Sequence, residues 1–345
     1  MAGRAGWWLA LLLGALVVAT AGRGHAVEPA VLNVAAVPNV DAAGREQYRR
    51  FLGVNLPRAF AVSAEGKIGW FGGAGTTQVA REKAIQSCAA KQGTNCALYA
   101  EDLRVVWPGR NDPGPAAPPG PLFEASGYAF VPDARYIWRG PEQAAGVYVW
   151  GHGKNGPTDY RGLQPQSHVR VFNNAGFDVV RFDREGFSDW PDHLADRLRT
   201  GLEAIRKRGW KKLVVGGQSM GGYAALMALA HPGLADAVIA VSPAYFGGVA
   251  GSDNSALFYT IVRSARSPGT RVAIVHFAGD TFVTDIDARM ALYRDNLPSR
   301  VGALLLIDRP AGITGHGGGT SLAFAQQYGD CLLRFVVDAT PRPAC

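Results

Sequence analysis

Charge is scarce in this chain, and runs of one sign are scarcer. Charged residues make up 18% of the 345 positions, with a formal net charge of +7. The densest basic cluster, Arg206-Lys207-Arg208, closes a segment of helical pattern and has no interleaved aromatics, which argues for a solvated face and against a nucleic-acid groove. Cysteine is limited to four positions, without a C-x-x-C pair or a histidine beside them, which excludes a tetrahedral metal site built on thiolates. Beyond residue 18 no apolar run approaches the roughly 20 residues that cross a bilayer, and no internal repeat points to a solenoid. What is plentiful is apolar side chain, 48% of the chain, and glycine, 44 residues. The first supplies a large core and the second permits close backbone packing.

Residues 1–26 read as a secretory signal peptide: Arg4 in a short basic start, an apolar run from Trp7 to Val18, then Ala19-Thr20-Ala21 and Gly24-His25-Ala26 as alternative cleavage points. Removal takes away Arg4 and Arg23, which leaves +5 and no integral membrane segment. The expected location is periplasmic or secreted, where thiols oxidise. Four cysteines allow three connectivities. Cys88 and Cys96 flank a short polar loop, and Cys331 and Cys345 share the C-terminal end, so local pairing is expected.

After a polar lead-in, residues 27–107 carry the plan of a small α+β module: strand Ala59 to Val62, turn Glu65-Gly66, strand to Phe71, helix from about Gln78 to Ala90, and strands near Cys96 to Trp107. Residues 108–121, PGRNDPGPAAPPGP, form a linker that regular structure cannot enter. From 122 to 345 short apolar runs alternate with amphipathic segments. Val147–Trp150, Phe177–Phe182, Leu213–Val215, Ala237–Val241, Val272–Phe277 and Ala303–Ile307 predict a doubly wound, mostly parallel sheet with strands buried on both faces. Because every proposed sheet strand follows the linker, this portion is expected to stand without the module.

In LVVGGQSMGGYAAL, Ser219 lies where a buried strand ends and a helix begins. With so many glycines the bare G-x-S-x-G pattern has roughly 0.2 chance matches in such a chain, so its context carries the reading. Gly217 and Gly221 give the room a nucleophile elbow needs, and the N–H of Met220 faces the helix N-terminus, where an oxyanion is stabilised. A serine hydroxyl needs a base and an orienting acid, in the order Ser, Asp, His. Asp280 follows the strand RVAIVHF and His316 lies in RPAGITGHGGG after ALLLID; Asp285 is the competing acid, read as the cap of a helix Ile286–Leu292. The N–H of Lys154, in WGHGK, is expected to be the second oxyanion donor, with Gly153 close behind and His152 as a buttress. His231 and His193 read as helix-terminal residues, His168 as preceding a helical stretch, and His276 as a satisfied core residue.

Together GHG at Gly151, DVVRFDREG from Asp178 to Gly186, GQSMG, AGDTFV at Ala278–Val283 and GHG at Gly315 resemble the α/β-hydrolase superfamily, in its dienelactone-hydrolase-like esterase and peptidase branch, over about Gly146 to Val337. The resemblance implies acyl transfer to water through a serine ester, with no metal or organic cofactor. Dienelactone hydrolases themselves use cysteine at the elbow, so Ser219 departs from them. AFAVSAEGKIGW with C-x(7)-C looks like a small cysteine-containing module of exported bacterial proteins. The expected substrate is a small carboxylic ester; the alternatives are short peptides, or a non-enzymatic envelope-binding role on the same scaffold. About 27 residues between Pro243 and Arg271 allow only a short cap, with Tyr245, Phe246, Phe258 and Tyr259 as candidate walls. Oligomeric state is left open.

Overall fold

The computed structural model describes residues 28–154, 158–186, 191–245 and 252–345. The signal-peptide reading of 1–26 lies outside them, as does Phe246. Among the described residues no helix is long and apolar enough to cross a membrane.

The lead-in is not irregular. It contains helix α1, Ala42–Leu52, which Asp41 caps by accepting from the N–H of Gly44 at 2.8 Å. Only Tyr48, Phe51 and Leu52 of its larger side chains turn inward, a one-turn stripe at i, i+3 and i+4 among arginines, too short to stand out by periodicity. Then come β1 (Arg58–Val62), β2 (Ile68–Gly72), α2 (Thr77–Ala89), β3 (Ala97–Glu101) and β4 (Arg104–Val105). They form an antiparallel sheet in the order β2-β1-β3-β4. The Cys88–Cys96 disulfide ties the end of α2 to the start of β3.

The second sheet has eight strands. In chain order the elements are β5 (Phe123–Ala125), β6 (Tyr128–Pro132), β7 (Gly146–Gly151), α3 (Ser167–Asn174), β8 (Phe177–Arg184), α4 (Pro191–Arg206), β9 (Leu213–Gln218), α5 (Met220–Met227), β10 (Ala237–Val241), α6 (Ser252–Ser264), β11 (Ser267–His276), α7 (Ile286–Asn296), β12 (Val301–Asp308) and α8 (Leu322–Val337). The order across the sheet is β12-β11-β10-β9-β7-β8-β6-β5, with neighbouring strands parallel except for the antiparallel pairs β8–β6 and β6–β5. Alternate side chains of one strand feed different cores. Val147 and Val149 face α4 to α7, while Tyr148 and Trp150 face α3 and α8. Burial on both faces explains why these strands read as continuous apolar runs. His168 lies inside α3 rather than before it, fully buried, with Nε2 at 3.2 Å from the Tyr148 hydroxyl.

The module is docked, not merely tethered. Ile137, from the segment between β6 and β7, is 2% exposed and belongs to the core of the module. Asn173 clamps it in place, accepting from its N–H at 2.9 Å and donating to its carbonyl at 2.8 Å. Asn55 donates to the Pro165 carbonyl at 3.0 Å and Asn174 to that of Leu52 at 2.9 Å. In the amide orientation that satisfies both its ends, Gln164 donates to the Leu56 carbonyl and accepts from the Leu56 N–H and from Arg170. Arg58 and Arg170 are both fully buried near this junction, Arg170 stacked on Tyr136 at 4.2 Å. The linker carries no helix or strand, yet Asp112 within it accepts from the N–H groups of Val105 and Gly114.

These contacts revise the expectation of a separable portion. A chain beginning at Leu122 would expose Ile137 and remove the Leu56 groups that bond Gln164. It is expected to lose its cooperative thermal transition, or to melt at least 10 °C below the longer chain. A sharp transition within a few degrees of the longer chain, followed by circular dichroism, would show that the junction adds little.

The Cys331–Cys345 disulfide fastens the C-terminal tail to α8 across a separation of 14 residues. Loop-closure entropy for such a loop is about 3 kcal/mol. Replacing both cysteines by serine is expected to lower unfolding stability in urea by that order. A change below about 0.5 kcal/mol would put the tail outside the cooperative unit.

Candidate active site

Ser219 occupies a strand-to-helix turn between β9 and α5, with φ 55° and ψ −121°. Positive φ is rare and strained for a residue with a Cβ. The turn is held from several directions: the Ser219 N–H donates to Val241 at 3.0 Å, and its carbonyl accepts from Tyr223 at 2.9 Å and Ala244 at 3.2 Å. A serine in the N-cap position ordinarily spends its oxygen on the helix. Here the side chain makes no cap bond, so the hydroxyl is left for other work. Gly217 and Gly221 both lie against the carbonyl of Gly151 at the end of β7, closely enough that a Cβ at either position would overlap it. That contact brings the β7 loop to the serine: a Cβ on Gly153 would stand 3.4 Å from the Cβ of Ser219.

His152 supports this loop from behind. Its Nε2 accepts from the N–H of Arg184 at 3.0 Å, which leaves the proton on Nδ1 to donate to the Gly153 carbonyl at 2.6 Å. Arg184 also donates to the His152 carbonyl at 2.6 Å. Burial, with the nearby Arg184 charge adding to it, pushes the His152 pKa down to about 3, so the ring is a neutral strut at ordinary pH.

Asp280 and His316 come together from loops after adjacent strands, β11 and β12. Nδ1 of His316 lies 3.0 and 2.9 Å from the two carboxylate oxygens of Asp280. The carboxylate also accepts from the N–H groups of Phe282 at 2.9 Å and Val283 at 3.1 Å. Burial works to raise the Asp280 pKa, but the bond and charge of His316 and the two backbone donors outweigh it, and the group titrates below its usual range. Gln218 then ties this pair to the elbow, its amide donating to the His316 carbonyl at 2.7 Å. Among the described residues no hydrogen bond joins Ser219 Oγ to the imidazole. Such bonds are often long in unliganded sites.

Asp285 occupies the position before α7 but does not cap it. Its carboxylate instead accepts from Arg289 Nε at 2.7 Å, and Arg289 reaches the Pro243 carbonyl at 3.0 Å. His276 is a core residue, as its place in a strand implies, but not a satisfied one. Its ring stacks on Tyr293 at 6.0 Å and neither nitrogen has a hydrogen-bond partner among the described residues. Phe258 is fully buried beneath Arg289 and cannot wall a pocket. Tyr259 is exposed beside Arg263, and Tyr245 packs on Tyr223 of α5 at 5.0 Å. Sequence reasoning passed over Gln218 and Phe282, whose residue types carry no catalytic signal; adjacency to Ser219 and Asp280 was the one clue.

A strained serine elbow with an acid and a histidine on later strand ends of a doubly wound sheet defines an α/β-hydrolase. Consistent with this, the family described as "Putative esterase" matches residues 160–293. Among solved structures, the chain is similar to the acylaminoacyl peptidase of Pyrococcus horikoshii, at 14% identity over 62% of this chain and 40% of that one, with a TM-score of 0.44. It is similar to a truncated carbohydrate esterase from gut microbiota, at 13% identity over 60% and 90% of the two chains, TM-score 0.45. A structure described as a putative dienelactone hydrolase from Klebsiella pneumoniae is 13% identical over 62% and 92%, TM-score 0.40. The chain therefore spans well under half the length of the peptidase. No curated protein sequence matches it significantly. The sheet order and the serine elbow are those of the α/β-hydrolase fold, and the esterase family match falls within that portion of the chain.

Burial holds His168 and His276 neutral as it does His152, each with a pKa pushed down to about 3. The unfolded chain protonates all three near pH 6.5, so stability is complete above that pH and falls as pH drops toward 3. Three protons correspond to a slope of up to about 4 kcal/mol per pH unit. Urea unfolding between pH 7 and 5 is expected to show this loss, reduced by about a third in His276→Phe. A flat profile would mean that the native rings protonate freely.

Proposed function

We propose that this protein is an exported serine hydrolase that cleaves carboxylic esters through an acyl-enzyme. The observation that carries the reading is the two-oxygen grip of Asp280 on His316 Nδ1, tied through Gln218 to a strained serine whose hydroxyl is not used as a cap. With Nδ1 protonated toward the carboxylate, Nε2 keeps a lone pair. It takes the proton of Ser219 as Oγ attacks the ester carbonyl. The developing oxyanion is met by the backbone N–H groups of Met220, at the start of α5, and of Lys154, in the loop held over the serine by His152. Collapse breaks the carbon–oxygen bond to the alcohol, which leaves with the proton from Nε2. Water then attacks the acyl-serine by the same route and releases the acid. The esterase family match over residues 160–293 supports an ester as the substrate. Pairing of all four cysteines supports an oxidising compartment.

Ser219→Ala and His316→Ala are each expected to lower kcat on a soluble ester by about 10⁴-fold or more, with effects that do not add in the double variant. Asp280→Asn should cost somewhat less. A fluorophosphonate is expected to label Ser219, read by peptide mass spectrometry. Labelling elsewhere, or a crippled Asp285→Asn beside a normal Asp280→Asn, would overturn the assignment.

A further inference from the structure

Phe282 stands apart from the other large apolar residues of the site. It is 43% exposed, and its ring centroid lies 4.6 Å from that of His316, tilted by 42°. Its position is fixed at both ends. Its own N–H bonds the Asp280 carboxylate, and the next residue, Val283, is fully buried and bonds the same oxygen. The carboxylate that orients His316 therefore also orients the loop that carries the ring against it. An apolar group laid over that exposed, fixed face would remove apolar surface from water, which is favourable.

Which part of a substrate reaches it follows from the proton path. This step rests on the reaction proposed above. When the Ser219 Oγ–carbon bond has formed and the carbon–oxygen bond to the alcohol breaks, the proton on His316 Nε2 passes to that alcohol oxygen. The oxygen must then lie about 2.6–3.2 Å from Nε2. The carbons attached to it come to rest beside the imidazole, against the ring that flanks it. The carbonyl oxygen is directed away from this side, toward the N–H groups of Met220 and Lys154. We infer that the exposed face of Phe282 is the alcohol-side subsite, and that the substrates are esters of apolar alcohols, aromatic ones foremost, rather than of sugars.

The test compares phenyl acetate with methyl acetate on the mature protein. Both give the same acetyl-serine, so kcat/KM compares only the binding and acylation of two esters that differ in their alcohol, and taking each variant relative to wild type cancels their intrinsic reactivity. In Phe282→Ala the ratio of kcat/KM for phenyl over methyl acetate is expected to fall at least tenfold, and Phe282→Tyr should restore most of it. The ratio of ethyl butyrate to ethyl acetate, which probes the acyl side, should move by less than twofold. An unchanged phenyl-to-methyl ratio, or equal loss on both substrates, would make Phe282 a support for His316 and overturn the subsite. Fluorophosphonate labelling in the same preparations separates the two readings: unlabelled Ser219 defeats the triad, whereas labelled Ser219 with an unchanged ratio defeats the subsite alone.

Discussion

The contact between the end of β7 and the turn after β9 is the constraint on which the site depends. The carbonyl of Gly151 lies against both Gly217 and Gly221, with no space for a side chain on either. This close approach lets α5 start immediately after the strand, which forces Ser219 into its positive φ. Strain at one such residue is of order 1–3 kcal/mol and persists only where the surroundings over-determine it. Here the hydrogen bonds to Val241, Tyr223 and Ala244 do so, each from a buried element. The same contact carries the β7 loop to the serine, so elbow and oxyanion loop are set by one packing event.

Two struts then limit what can move. Arg184, at the end of β8, holds His152 and through it Gly153, while Gln218 holds the His316 loop to the elbow. Arg184 is fully buried, so losing it would leave the His152 carbonyl without its partner, while Gln218 works at a partly buried position. Neither side chain is asked to do chemistry. Their effect is to fix loops that would otherwise be free to drift, and small displacements at a reacting centre are costly in rate.

The module interacts with this frame through α3, at the opposite face from the α4 to α7 helices. Its core takes in Ile137, and its backbone bonds Gln164, just before α3, and Asn174, at its end. Leu322, at the start of α8, packs against the same core. Since α8 follows the His316 loop, the module bears on the second helical layer rather than on the elbow itself.

Local pattern determined a good deal here. Ala237–Val241 is a strand end to end as its apolar run implies, and the glycines around Ser219 and the local cysteine pairs were legible because each is short-range. Helix α1 was in the sequence but hidden, since its inward stripe is one turn long. What no local pattern could supply was anything set by contact between distant segments. The His316 carbonyl meets the residue beside Ser219 across 98 positions, and Ile137 leaves its own sheet for the core of the module. Phe258, an aromatic in the stretch between β10 and β11, belongs to the core and not to a pocket. Tertiary packing decided these, because the free energy of burying a side chain depends on which surface arrives beside it, and that is settled only when the sheet closes.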